Sequence, residues 1–201
     1  MVKIYFIRHG VTGWNKEKLI QGRTDNPLSE EGIIETIKVA HKIKELNINF
    51  DLFISSPLIR AKETIDIIKH ILSKDEVTTI IDPAFNERSF GELEGKPFKA
   101  LTNALKENRV NNIKGYENDK TIQTRVYEGT LKLKEYEGKT ILIASHSNTI
   151  KSLLIAIDKD KFNYDTMVPN LNLMYFSLEN NKLSLIKEYV LKNELKDTTA
   201  F

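Results

Sequence analysis

The 201-residue chain contains no cysteine. That absence excludes disulfides, thiolate nucleophiles and cysteine-ligated zinc. Long apolar runs are missing too: none approaches the roughly 18 residues needed to cross a bilayer. The first residues form a strand pattern where a secretory signal would place a charged leader and an apolar segment. Neither sign of charge dominates. A formal net charge of +2 creates no global pull toward nucleic acid or a membrane surface. The expectation is a cytoplasmic protein with neither partner.

What is present is ordinary in bulk and unusual in placement. Hydrophobic content of 40% and charged content of 29% suit one globular domain with a real core. Strand and helix patterns alternate, which points to an α/β layer architecture. Val2–Ile7, Phe50–Ile54, Thr78–Ile81 and Thr140–Ala144 read as strands. Ser29 opens a helix with Glu30 and Glu31 at its positive end, and Ile33, Ile34, Ile37, Ala40 and Ile43 mark its expected apolar face. Arg60–Leu72, Thr121–Tyr136 and Thr149–Ile157 are further helices, and Lys96–Lys114 suggests one or two short ones. Leu171–Ser177 and Leu183–Val190 read as strands joined by a tight turn at Asn180-Asn181. Lys192–Phe201 reads as a frayed end. No repeat or linker divides the chain, so residues 1–201 are read as a single domain.

Arg8-His9-Gly10 stands where the first apolar strand ends, and Ser145-His146 follows the strand at 140–144. Open α/β sheets place ligands just beyond the carboxyl ends of their strands. Ser55 through Arg60 lies at a third such end. Two arginines and two histidines converging there would repel a metal cation and suit an oxyanion, because guanidinium forks match phosphate oxygens. Cationic neighbours disfavour imidazolium, and a neutral imidazole nitrogen can attack phosphorus. The leaving alkoxide then needs an acid. Glu87, just past the third strand, is the candidate, with Glu92 and Glu94 as competitors. Each residue also has a plainer reading when taken singly. His9 could cap a turn, His146 could be structural, and Arg60 and Glu87 could be solvated. His41 and His70 read as surface or boundary positions. The lysines of 96–114 read as a solvated face, since Glu107 and Glu117 interrupt them, or as a rim for an anionic substrate's entry, and Trp14 reads as packing.

Taken together, the motifs carry a resemblance. Ile7-Arg8-His9-Gly10, Trp14-Asn15, Gln21 through Ser29 and Gly32 form one block. Ser55-Ser56-Pro57 with Arg60-Ala61 and Thr64 forms a second. Asn86-Glu87-Arg88 with Phe90-Gly91 and Glu94-Gly95 forms a third, and Ser145-His146 a fourth. In order and spacing, these resemble the histidine phosphatase superfamily, the phosphoglycerate mutase-like fold. The resemblance implies a three-layer α/β sandwich: a mostly parallel sheet with an antiparallel strand, and helices on both faces. It implies that His9 is the phosphorylated nucleophile, that Arg8, Arg60 and His146 clamp the phosphoryl group, and that Glu87 is the acid and then the base. Asn15 would be a further phosphate contact, and Gln21 and Gly22 would line the pocket. No metal and no other cofactor is implied.

Two departures stand out. Ser147 replaces the glycine usual after the second histidine, and its amide can still donate to phosphate. Gly115-Tyr116-Glu117-Asn118 occupies the place of a Gly-Glu-Ser element, with Arg125 following. The acid block resembles the mutase branch, yet the longer insertion of glycolytic mutases is lacking. The expectation is therefore a phosphatase acting on a small phosphorylated substrate, with residues of about 92–118 forming a substrate-capping insertion and Arg88 as a contact for a substrate carboxylate. The alternatives are phosphoglycerate mutase-type transfer and an inactive binding member of the fold. The latter should lack one of the five catalytic residues, and none is lacking. An edge strand or the 149–157 region could support a homodimer.

Overall fold

The computed structural model describes residues 1–192. The strands are β1 (Val2–Arg8), β2 (Leu52–Ser55), β3 (Thr79–Ile81), β4 (Thr140–Ser145), β5 (Leu173–Glu179) and β6 (Lys182–Tyr189). The helices are α1 (Gly13–Lys16), α2 (Glu30–Glu45), α3 (Ile59–Ile71), α4 (Phe98–Lys106), α5 (Asp119–Lys132) and α6 (Ser147–Ile157), with short 3₁₀ turns between them. The frayed end expected at Lys192–Phe201 lies, beyond Lys192, outside the described residues.

One six-stranded sheet runs in the order β3-β2-β4-β1-β5-β6. β3, β2, β4 and β1 are mutually parallel, and β5 is antiparallel to both β1 and β6. The strand period of two sorts the side chains of β1 between two cores. Ile4 and Phe6 face α5 and α6, meeting Ile122, Val126, Ile150 and Leu153. Tyr5 and Ile7 face α2 and α3, meeting Val39, Ile43, Ile65 and Ile68. Helices therefore cover both faces, as the α/β pattern requires.

The face of α2 differs from the sequence expectation. Ile33, Ile34 and Ile37 are exposed, and the inward stripe is Gly32, Thr36, Val39, Ala40 and Ile43. The phase is set at the helix start. Ser29 Oγ accepts from Gly32 N at 3.0 Å, and Gly32 lies so close to the chain after β1 that a Cβ there would meet Val11 O at 2.0 Å. Gly10 is matched to the same approach: a Cβ on it would meet Thr36 Oγ1 at 2.5 Å. The glycine of Arg8-His9-Gly10 thus lets α2 pack beneath the loop.

β5 begins at Leu173 rather than Leu171, because Leu171 takes a left-handed backbone (φ 62°). The β5–β6 turn is the expected one, with Asn180 and Asn181 both at positive φ, the conformation that matches strand twist in a two-residue hairpin.

Candidate active site

β1, β4 and β2 end in step. Arg8 pairs with Ser145, and Ala144 lies opposite both Ile7 and Ser55. The ladder continues one residue further, with His9 N donating to Ser145 O at 2.9 Å and Ser56 N to Ala144 O at 3.1 Å. His9, Ser56 and His146 therefore leave the sheet at one level. α3 starts beside them and carries Arg60 in its first turn, and α6 starts at Ser147. A cavity opens over these ends. Arg8, His9, Arg60 and Glu87 line it, and so do Asn15, Gln21, Gly22 and Ser147.

His9 is almost fully buried, and its Nδ1 lies 2.7 Å from Gly10 O. A carbonyl oxygen only accepts, so Nδ1 carries the proton and Nε2 keeps its lone pair. Burial holds His9 well below the ordinary imidazole pKa, and the charges of Arg60 and Arg8 push it further down. The ring is neutral at physiological pH, with the nitrogen distal to the backbone available for attack.

Arg60 is fully buried, donating from Nη1 to Thr24 O (2.9 Å) and from Nη2 to Gly22 O (2.7 Å). Burial pulls its pKa down to about 10, so it remains cationic. Arg8 donates from Nη1 to Val168 O at 2.6 Å. Asn15 Oδ1 accepts from Thr12 N at 3.1 Å, which commits its oxygen to the turn and leaves its amide as a donor.

His146 lies against His9, with ring centroids 5.1 Å apart. It is fully buried, and its Nε2 bonds Ser56 Oγ at 2.8 Å. It does not line the cavity but stands in the wall behind it, because the Ser56 bond turns the ring toward β2. Burial, then Arg60, His9 and Arg8, hold it neutral as well.

Glu87 is held at both oxygens: Oε1 accepts from Arg88 N at 2.8 Å, and Oε2 from Asn148 N at 3.3 Å. Behind it, Arg125 spends every guanidinium N–H on this segment. Nη1 donates to Ala84 O and Asn86 O. Nη2 donates to Glu87 O and Glu117 Oε2, and Nε donates to Glu117 Oε1. Arg23 adds bonds to Glu87 O and Glu117 Oε1. Glu117 therefore ties its segment to the back of Glu87, and Asn118 caps α5. The competing acids fall away geometrically. Glu94 is consumed by Arg23 N, Thr24 N, Thr24 Oγ1 and Phe90 N, and Glu92 is exposed.

Arg88 is the clearest correction. Its guanidinium points away from the cavity: Nη1 donates to Tyr116 Oη and Asp119 Oδ1, both at 2.7 Å, and the group stacks over Tyr164 at 4.3 Å. Aromatic stacking and an acidic partner hold it there. It is not placed to meet a substrate in the cavity. Sequence reasoning also passed over Asn170, whose buried amide donates to His9 O at 2.9 Å, and over Lys18 and Asn148, which line the cavity. No periodicity marks these: Lys18 and Asn170 lie in irregular segments, and Asn148 sits in the first turn of α6.

Comparison with known proteins settles the family. The family model described as histidine phosphatase superfamily (branch 1) matches residues 4–188. The chain belongs to the histidine phosphatase superfamily. A Bacillus subtilis (strain 168) protein named uncharacterized phosphatase PhoE is 31% identical over 158 residues, 78% of each chain. A 2,3-bisphosphoglycerate-dependent phosphoglycerate mutase of Streptococcus pyogenes is 30% identical over 232 aligned positions, covering 96% of this chain and 100% of the mutase. Among solved structures, phosphoserine phosphatase from Entamoeba histolytica in complex with 3-phosphoglyceric acid superposes with a TM-score of 0.79 at 29% identity, covering 94% of this chain and 96% of that one. The relatives include both phosphatases and mutases. The superfamily's mixed α/β sheet with flanking helices is the fold seen here, and among the described residues no helix is long and apolar enough to cross a membrane.

Proposed function

We propose that this chain is a metal-independent phosphomonoesterase that acts on a small phosphorylated metabolite in the cytoplasm through a phosphohistidine on His9. One observation carries the reading: a neutral imidazole, its proton fixed on Nδ1, shares a cavity with Arg8, Arg60 and the Glu87 carboxyl. His9 Nε2 attacks phosphorus, and the P–O bond to the leaving group breaks. Arg8 and Arg60 take the charge that builds on the phosphoryl oxygens, while Ser147 and Asn15 add donors at its edge. His146 supports from behind, packed against His9. Glu87 gives a proton to the departing alkoxide. Water then attacks the phosphohistidine, and Glu87 takes the proton back, so that phosphate leaves and both groups return to their starting states.

The reading favours hydrolysis over mutase transfer because the mutase alignment spans 232 positions against 201 residues here. The family resemblance implies that the extra residues of such mutases lie between the acid block and the second histidine, and a shorter cover there admits water more readily. The guanidinium pair at the cavity floor makes a poor cation site, which is why no metal is invoked. Hydrolysis of p-nitrophenyl phosphate in the presence of EDTA tests this, with turnover expected. No turnover, together with bisphosphoglycerate-dependent exchange of 3- and 2-phosphoglycerate, would make the protein a mutase.

A further inference from the structure

A second cavity opens beside the first. Its volume is about 180 Å³ against about 80 Å³, and the two share Arg8, Phe98 and Ser147 as walls. Lys151 lines only the second. It stands four residues after Ser147 on α6, hence on the same helix face. Its Nζ donates to Tyr164 O at 2.8 Å, which anchors the ammonium and leaves it two further N–H donors. The remaining walls are Tyr164, Val168 and Met167, with the exposed Asp165.

Lys151 is partly buried, and among the described residues no carboxylate lies within ion-pair distance of it. A desolvated ammonium without an acidic partner is costly, and burial with the nearby Arg8 charge lowers its pKa. An anion from outside would relieve that cost. A molecule whose phosphoryl group sits on Arg8 and Arg60 must extend its other end somewhere, and this compartment adjoins the same arginine.

We propose that the Lys151 compartment receives the leaving-group part of the substrate and selects leaving groups that carry an anionic group, a carboxylate or a second phosphoryl group. The proposal rests on the phosphomonoesterase reading for its orientation of the substrate. Lys151 is then a specificity-determining residue, contacting the substrate away from the reacting atoms. Asp165 lines the same compartment and limits how much negative charge it accepts.

A matched pair of ligands tests this. 3-Phosphoglycerate and glycerol 3-phosphate share a carbon skeleton and differ by a carboxylate against a neutral hydroxymethyl group. Binding is measured by calorimetry on full-length His9→Ala protein, with and without Lys151→Met, so that turnover is not required. The carboxylate ligand should bind about tenfold more tightly when Lys151 is present. That preference should fall to within about threefold in Lys151→Met and return in Lys151→Arg. Asp165→Asn should tighten 3-phosphoglycerate by about twofold to fivefold. Replacing the carboxylate ligand with 2-phosphoglycolate or glycerol 1,3-bisphosphate separates a carboxylate from a second phosphoryl group. An equal preference in both backgrounds, or a preference for glycerol 3-phosphate with Lys151 intact, overturns the assignment. Lys151→Gln supplies the same reading if Lys151→Met does not fold. Hydrolysis of the same esters by the unaltered protein is read separately. A Lys151-dependent preference without hydrolysis would sink the phosphatase reading and leave the subsite standing. Hydrolysis without that preference would do the reverse.

Discussion

The floor and the lip of the cavity are built differently. The floor comes from the ends of β1, β2 and β4 and the first turns of α3 and α6. Its His9, Arg60 and His146 are buried, and ladder hydrogen bonds continue into it from the sheet. The lip comes from irregular chain: 3₁₀ turns, the nine-residue α4 and a small apolar cluster of Ile20, Phe90, Leu93 and Leu101. Lys96, Lys99, Lys106 and Lys114 on that lip are exposed. A reacting group gains from being held within fractions of an ångström by packed neighbours. A specificity surface gains from being able to vary without disturbing the sheet. The contrast predicts that changes on the floor alter the chemical step or stability, whereas changes on the lip alter the choice and affinity of substrate.

The largest effect should come from the nucleophile. His9→Ala should lower kcat for p-nitrophenyl phosphate by about a thousandfold or more, and acid-labile phosphate trapped on the unaltered protein should vanish. Full activity in that variant would remove His9 from the mechanism. Arg125 comes next, as a positioning residue. Lysine cannot reproduce a planar array of five donors, so Arg125→Lys should reduce kcat by roughly tenfold to a hundredfold with little change in KM. Normalising kcat to the acid-labile phosphate trapped per protein separates this loss from a loss of folded protein.

The buried histidines make the floor sensitive to acid. Both are held below their ordinary value in the folded protein. As pH falls below about 6.5 the unfolded chain takes up protons that the folded chain refuses. Stability is therefore complete above that pH and falls below it, by about 1.4 kcal/mol per pH unit for each histidine, or near 2.7 for both. Urea unfolding between pH 7 and 5 measures the slope, and His146→Gln should halve it. Beneath the floor, Gly32→Ala should cost about 1 to 3 kcal/mol. The three atoms nearest such a Cβ are all backbone atoms of Val11, which cannot rotate away. A thermal midpoint unchanged by this substitution would mean that α2 is free to shift.

The same contrast governs what the sequence made legible. β1 and β4 are apolar runs that end in charged or polar residues, so the strands, their ends and the residues Arg8, His9 and His146 could be read directly. Glu87 could be placed because it follows the third strand. What failed depends on three-dimensional phase. Ile33, Ile34 and Ile37 suggest the buried face of α2 by hydrophobicity, which outweighs small residues in the pattern, yet they are exposed. The inward stripe keeps the expected Ala40 and Ile43 and adds Gly32, Thr36 and Val39, with Gly32 allowing the closest approach. Arg88 was read by its neighbour in sequence, but its direction is set by Tyr116, Asp119 and Tyr164, residues 28, 31 and further along the chain. Asn170 and Lys151 gain their meaning only from contacts across the fold, and a local pattern carries no trace of them.

The smallest effect tests the lip. Phe98 walls both cavities from the start of α4 and is only half-buried. Phe98→Ala removes apolar surface that a bound ester would cover, and it leaves the strand ends untouched. KM should rise by about threefold while kcat stays within about twofold, the pattern of binding lost equally in ground and transition states. A fall in kcat beyond tenfold at unchanged KM would show that the lip takes part in the chemical step, through exclusion of water or placement of Glu87. The division between a reacting floor and a selecting lip would then fail at a lip residue that walls both cavities.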